Sequence, residues 1–184
     1  VVVDAGLARV PRFDARTGMT RLETVRVSQA GATQRAGRAG RVAPGTCYRL
    51  WPEAEHAGLL AHGTPEIREA DLVPLALDLA VAGVRDADEL LWLDPPPAAA
   101  VGQARALLAQ LGALDAAGRV TAHGRRMAAL PLHPRLAHML LVAADLDATA
   151  LACDLAALLA DRDVLRAAPQ AGGPPRFPDA DVRL

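Results

Sequence analysis

The stretch Gln34-Arg35-Ala36-Gly37-Arg38-Ala39-Gly40-Arg41 packs three arginines and a glutamine into eight positions, separated by two glycines. On a helix Gln34, Arg38 and Arg41 fall at i, i+4 and i+7, within roughly 60° of one another at about 100° per residue, and Arg35 points to another side. The spacing predicts one face presenting two guanidinium groups and an amide. Like charges stacked on one face are unfavourable without a counter-anion. The glycines cost the helix roughly 1 kcal/mol each relative to Ala, and they remove bulk where a ligand or a facing domain approaches. A polyphosphate suits such a face, because guanidinium forks spread over phosphate oxygens stabilise phosphoryl transfer by about 10³ to 10⁵ in rate. The competing reading is an Arg/Gly-rich surface loop that holds RNA backbone loosely or holds nothing.

Outward from this stretch, Val1 to Val3 read as the end of a fully buried strand with a tight exit at Asp4-Ala5-Gly6. Ligands of open α/β sheets bind beyond that strand edge. Residues 13–27 read as a protruding β-hairpin around Thr17-Gly18, and Ser28 as the N-cap of the helix that carries Gln34. Residues 45–51 return to a strand, and 52–63 read as a polar linker. Thr64-Pro65-Glu66 has the order N-cap, N1 proline, first-turn acid, and Pro74 opens a second helix that ends at Gly83. A helix over 98–111, a turn over 114–121 flanked by short extended pieces and a helix capped by Thr121 follow in winged-helix order. His133-Pro134 opens one further helix and Asp147 caps another, with Leu151, Leu155, Leu158 and Leu159 on one face. Asp161-Arg162-Asp163 reads as a helix-end charge cluster and 166–178 as a Pro/Gly-rich loop.

Composition narrows the chemistry. The 184 residues, 52% hydrophobic and 22% charged, suffice for a buried core and contain no apolar run of membrane-span length. All 20 basic residues are Arg. A phosphate loop of the GxxxxGK[ST] type and a Schiff-base enzyme both need Lys, so this chain alone provides neither. Residues 1–50 carry a net charge of +6 and the remainder −7, which points the N-terminal part at something anionic. Cys47 and Cys153 have no metal-ligand spacing and read as buried reduced thiols; no metal site is expected. The chain opens on Val1 inside an apolar run with no signal peptide, so it is expected to be a cytoplasmic piece of a longer protein.

The sequence at 34–41 resembles motif VI of superfamily 2 helicases, specifically the DEAH-box group. Residues 1–9 resemble the strand after motif V, Val27-Ser28-Gln29-Ala30 the lead-in to motif VI, and 44–50 the strand leaving the second RecA-like lobe. Thr64-Pro65-Glu66-Ile67-Arg68 and Leu93-Asp94-Pro95-Pro96 resemble the group's winged-helix region. Gly112-Ala113-Leu114-Asp115, Gly124-Arg125-Arg126-Met127-Ala128 and His133-Pro134-Arg135-Leu136 resemble its continuation into the helical ratchet domain. The details at 112–115 and 158–163 are most similar to HrpB-type ATP-dependent RNA helicases.

The resemblance implies an α/β remnant of a RecA-like lobe over 1–51, a linker over 52–63, a mostly α winged-helix domain over 64–131 and the start of a helical bundle over 132–184. It implies that Gln34, Arg38 and Arg41 contact the γ-phosphate side of ATP, with Arg38 and Arg41 as arginine fingers and Gln34 near the attacking water. Arg35 would be structural. Arg12, Arg16 and Arg21 of the hairpin would meet RNA. ATP is expected with Mg, whose ligands, like the Lys-bearing phosphate loop, belong to upstream segments; the partners are RNA and an upstream RecA-like lobe. The chain by itself is therefore expected to be inactive.

The alternative is a non-catalytic winged-helix module that binds nucleic acid or protein. Its recognition helix over 98–111 would offer only Gln103, Arg105 and Gln110 as polar readers. His123, His133 and His138 lack HExxH spacing, and His133 reads as a helix-opening residue. Trp51 and Trp92 read as core rather than base-stacking residues. Arg125-Arg126 is the one basic pair of the acidic half, suited to an RNA backbone or to a solvated face.

Overall fold

The computed structural model describes residues 1–14 and 18–160. Arg16, Thr17, Asp161-Arg162-Asp163 and the loop expected over 166–178 lie outside the described residues. The chain divides into two units, Val1–Ala129 and Leu130–Leu184, the second described as far as Ala160.

In the first unit, β1 (Val2–Asp4) pairs in parallel with β4 (Cys47–Arg49), in the register Val2↔Cys47 and Asp4↔Arg49. The β1 strand is not buried on both faces as expected. Successive side chains alternate between faces, and α1 (Gln29–Gly37) covers the face of Asp4, which is 3% exposed, whereas Val3 on the other face is 64% exposed. The exit is the tight turn foreseen: the Gly6 N–H donates to Asp4 Oδ1 at 2.9 Å with φ +74°, and a Cβ there would lie 2.9 Å from the Trp51 ring.

The hairpin is longer than expected. β2 (Leu7–Asp14) and β3 (Met19–Arg26) pair antiparallel from Leu7↔Arg26 to Asp14↔Met19. Most of its residues are exposed on both faces, so hydrophobic alternation marks its base poorly. Ser28 caps α1 as read, accepting from the Gly31 N–H at 3.1 Å. Val27, Ala32 and Trp51 form a buried cluster with Leu59 against it.

Residues 52–63 are more than a polar linker. They contain α2 (Glu53–Ala57) and then run along the start of α1, where Leu60 and Ala61 carbonyls accept from the Gln29 and Ala30 N–H groups at 2.8 and 3.0 Å. A helix start leaves its first amides without intrahelical partners, and this segment satisfies two of them.

Thr64 does not cap a helix: Pro65 precedes a single 3₁₀ turn, Glu66–Arg68, with no side-chain cap. α3 (Val73–Val81) takes Pro74 in its first turn and ends at Gly83, φ +85°, where the Val84 N–H returns to the Leu79 carbonyl. α3 packs on α4 (Ala98–Gln110) and α5 (Ala122–Ala128), with Leu77, Ala104, Leu108, Leu114 and Met127 buried. The extended pieces of the wing shrink to one bridge, Leu114↔Val120, because Asp115 and Gly118 turn the chain within four residues. Trp92 is half-buried and donates from its indole nitrogen to the Ala87 carbonyl at 2.7 Å.

Thr121 caps α5 by accepting from Gly124 at 3.0 Å. A Cβ on Gly124 would lie 2.3 Å from the Ala113 carbonyl oxygen, which accepts the Thr121 N–H. Gly124→Ala is expected to cost about 1–3 kcal/mol by forcing this backbone contact apart, read as a lower urea midpoint with an unchanged slope.

In the second unit, α6 (Pro134–Asp145) packs on α7 (Thr149–Ala160). His133 is the N-cap of α6, its Nδ1 accepting from the Arg135 N–H at 3.2 Å. Asp147 is not a cap: it stands at φ +54° in the left-handed turn between the helices, where the Ala148 N–H returns to Ala143. The α7 side buried here is that of Ala152 and Ala156, and Leu151, Leu155, Leu158 and Leu159 are exposed. Both cysteines are free, but neither is buried: Cys47 is half-buried and Cys153 exposed.

Candidate phosphate-contacting site

α1 positions the arginine-rich segment through Arg35. Its guanidinium donates to Asp4 Oδ1 at 2.9 Å and to the Leu7 carbonyl at 2.8 Å, fixing the helix to β1 and to the root of the hairpin. Asp4 is committed to this role, since the same Oδ1 also accepts the Gly6 N–H. The one arginine that the spacing directed away from the others is thus the one bound inside the unit.

Gln34, Arg38 and Arg41 are exposed, and among the described residues no ion pair engages Arg38 or Arg41. The expected single helical face holds for Gln34 and Arg38 but not for Arg41. α1 ends at Gly37, Arg38 is its C-cap at φ −68°, and the following N–H groups of Arg38, Ala39 and Gly40 each reach back three residues instead of four. Tighter turns of this kind close helix ends, and the two glycines weaken continuation. Arg41 therefore projects from a turn outside the helix. A Cβ at Gly37 or Gly40 would meet nothing within 4 Å, so no contact inside the chain requires either glycine. Gly45 is different: a Cβ there would fall 1.9 Å from the Ala39 carbonyl oxygen, so this glycine lets the turn before Arg41 pack against the segment that leads into β4.

Gln34 also borders a cavity of about 820 Å³ under the hairpin, together with Ala8, Val25, Arg26, Leu59 and His62. Arg38 and Arg41 lie outside its lining. On the hairpin, Arg12 is held between Glu23 at 3.1 Å and Glu69 at 3.2 Å, and Arg21 faces it across the ladder, exposed. Arg12 must give up two carboxylates before it can take a phosphate, whereas among the described residues no ion pair engages Arg21. Arg16 is outside the described residues.

The winged-helix portion offers little to a duplex. Arg105, one of three polar readers on α4, donates instead to the carbonyls of Arg85 and Gly118. Sequence reasoning missed that role, because both acceptors are backbone groups from other segments. Among the described residues no group of three or more His, Cys, Asp or Glu could hold a metal ion, and no helix is long and apolar enough to cross a membrane.

The family model described as helicase associated domain (HA2), winged-helix, matches residues 104–132. The chain is 43% identical over 182 residues to the ATP-dependent RNA helicase HrpB of Escherichia coli (strain K12), covering 99% of this chain and 21% of that protein. It is 36% identical over 164 residues to the probable ATP-dependent RNA helicase DHR2 of Saccharomyces cerevisiae, covering 89% of this chain and 22% of that protein. The crystal structure of the Escherichia coli DEAH/RHA helicase HrpB superposes with a TM-score of 0.78 at 44% identity, over 94% of this chain and 21% of that one. The chain thus spans about a fifth of the length of these relatives. By sequence and by fold, it carries the HA2 winged-helix signature and is related to the HrpB-type DEAH-box helicases.

Proposed function

We propose that this chain works inside an ATP-dependent RNA helicase, contributing the arginine fingers that complete ATP hydrolysis and the elements that couple it to movement on RNA. In this reading 1–51 is the C-terminal part of a second RecA-like lobe, 64–131 the winged-helix domain and 132–184 the beginning of the ratchet domain. The observation that carries it is the division of labour within 34–41: Arg35 is bound internally to Asp4, while Arg38 and Arg41 stand exposed with no carboxylate partner among the described residues.

Arg38 and Arg41 approach the γ-phosphate from the cleft facing an upstream RecA-like lobe, and Gln34 orients the attacking water. As the γ-phosphoryl group transfers, charge spreads over its equatorial oxygens, and the two guanidinium groups stabilise it more than they stabilise bound ATP. The magnesium that accompanies ATP is held by other segments of the protein, which is cytoplasmic in this reading. Exposed Arg21, rather than ion-paired Arg12, is the better placed of the described hairpin arginines to meet RNA.

ATP turnover by Arg38→Ala in the complete protein is the test, and undiminished turnover would sink the finger role. Gly45→Ala probes the same site without touching a charge. Its methyl group displaces the turn that carries Arg41, and a shift of about 1 Å at a catalytic group costs on the order of 10²-fold in rate. Turnover should fall by that order while the circular dichroism spectrum is retained.

A further inference from the structure

Arg85, Arg119 and Arg125 meet at a cavity of about 410 Å³ between the end of α3, the wing turn and α5, with Gly83, Asp115 and Val120 also in its walls. Asp115 is the one carboxylate in that lining, and it is already committed. Its Oδ2 accepts from Arg119 Nε and Nη2 at 2.9 Å, and its Oδ1 from the backbone N–H groups of Ala117 and Arg119 at 2.9 Å. Chiefly the Arg119 backbone N–H, with help from its guanidinium, holds this carboxyl below its ordinary range, so it stays charged and paired with Arg119 at neutral pH. Asp86, the neighbour of Arg85, accepts the Asp88 N–H at 3.1 Å and is not part of the lining.

Arg85 and Arg125 are left. Both are exposed, and among the described residues no ion pair engages either. Two guanidinium groups without a carboxylate partner line one hollow, and an anion entering it would gain from both charges. The walls are fixed in advance: Arg105 on α4 ties the Arg85 carbonyl to the Gly118 carbonyl, and Gly118 holds the turn at φ +73°. The volume is in the range of small-ligand sites, and Ala80, Val84 and Val120 supply apolar surface beside the charges. A group with a phosphate next to a sugar matches that mixture, with guanidinium forks for the oxygens and aliphatic wall for the sugar.

We propose that this cavity takes a backbone phosphodiester of single-stranded RNA, as a second phosphate-recognition site apart from residues 34–41. The choice of RNA as the source rests on the helicase reading; the affinity for phosphate does not.

The test compares the complete protein with its Arg85→Ala/Arg125→Ala and Arg85→Lys/Arg125→Lys variants. Binding of a uridine oligonucleotide is measured across a salt series without ATP. The alanine pair is expected to weaken binding and to flatten the slope of log K against log salt by about 0.7 for each phosphate it no longer neutralises. The lysine pair, which keeps the charge, should restore most of the slope, and RNA-independent ATP turnover should be unchanged in both. An unaltered slope in the alanine pair overturns the proposal, as does a lysine pair no better than alanine. If pyrophosphate raises the melting temperature of the parent but not of the alanine pair, and RNA affinity is equal in both, the RNA assignment falls in favour of a free polyphosphate. Failure of the helicase reading looks different: Arg38→Ala would keep its ATP turnover while the salt slope still responded to Arg85 and Arg125, which upholds the cavity.

Discussion

Replacing Arg38 with alanine in the complete protein is expected to lower ATP turnover by about 10³ to 10⁵-fold, the range for an arginine finger in phosphoryl transfer. That loss corresponds to roughly 4 to 7 kcal/mol of transition-state stabilisation. RNA affinity should change only a few-fold, because Arg38 stands on the phosphate-facing segment in this reading and not on the hairpin. Fold stability should hardly move, since the side chain is exposed and enters no ion pair among the described residues. Steady-state turnover, RNA affinity and a thermal melt on one preparation separate these effects. Equal losses of turnover and RNA binding would count against the finger role. Arg41→Ala should resemble Arg38→Ala, and the double variant should lose far less than the product of the two, because groups that act on one transition state are not additive.

Arg35→Ala should do something quite different: unsettle the fold around the site. Its guanidinium is the only cation paired with Asp4 among the described residues, and the Asp4 side chain is 1% exposed. Removing one member of a buried ion pair strands the other, at a cost of about 3–5 kcal/mol. The low end applies here, because the Arg35 side chain is itself 35% exposed and the Gly6 N–H still reaches Asp4. Without its bond to the Leu7 carbonyl, α1 is freed from the root of the hairpin as well. The expected result is a lower urea midpoint together with reduced turnover, whereas Arg38→Ala reduces turnover alone. Arg35→Ala/Asp4→Ala should recover part of the stability by removing the stranded carboxylate. If the double variant is no more stable than the single, the pair is not what holds α1 to β1.

Much of this architecture could be read from local sequence. Ser28, Thr121 and His133 announce helix starts, and Gly83 a helix end, because capping and left-handed turns depend on a few neighbouring residues. The resemblance at 34–41 and 112–136 led to the family for a similar reason, its motifs being short and contiguous. Features that depend on remote segments were harder to see. Residues 52–63 read as a linker, since nothing in their composition shows that Leu60 and Ala61 will meet the open amides of α1. The leucines of α7 read as a core face, although Ala152 and Ala156 are the residues buried here.

The arginine-rich segment shows where the line falls. Its charge, its glycines and the separation of Arg35 from its neighbours are properties of the chain itself. Whether the helix would reach Arg41 was a balance between helix propagation and the tight closure of Gly45 on the Ala39 carbonyl, a contact between segments that meet only in the folded unit. The commitment of Arg35 to Asp4 spans 31 residues, and Arg85 and Arg125, which line one cavity, lie further apart still along the chain. Periodicity and propensity act over a turn or two of helix, whereas ion pairs and cavities form wherever folding brings side chains together. The residues available for chemistry were therefore set by the sequence, and their division into anchors and free guanidinium groups by the tertiary structure.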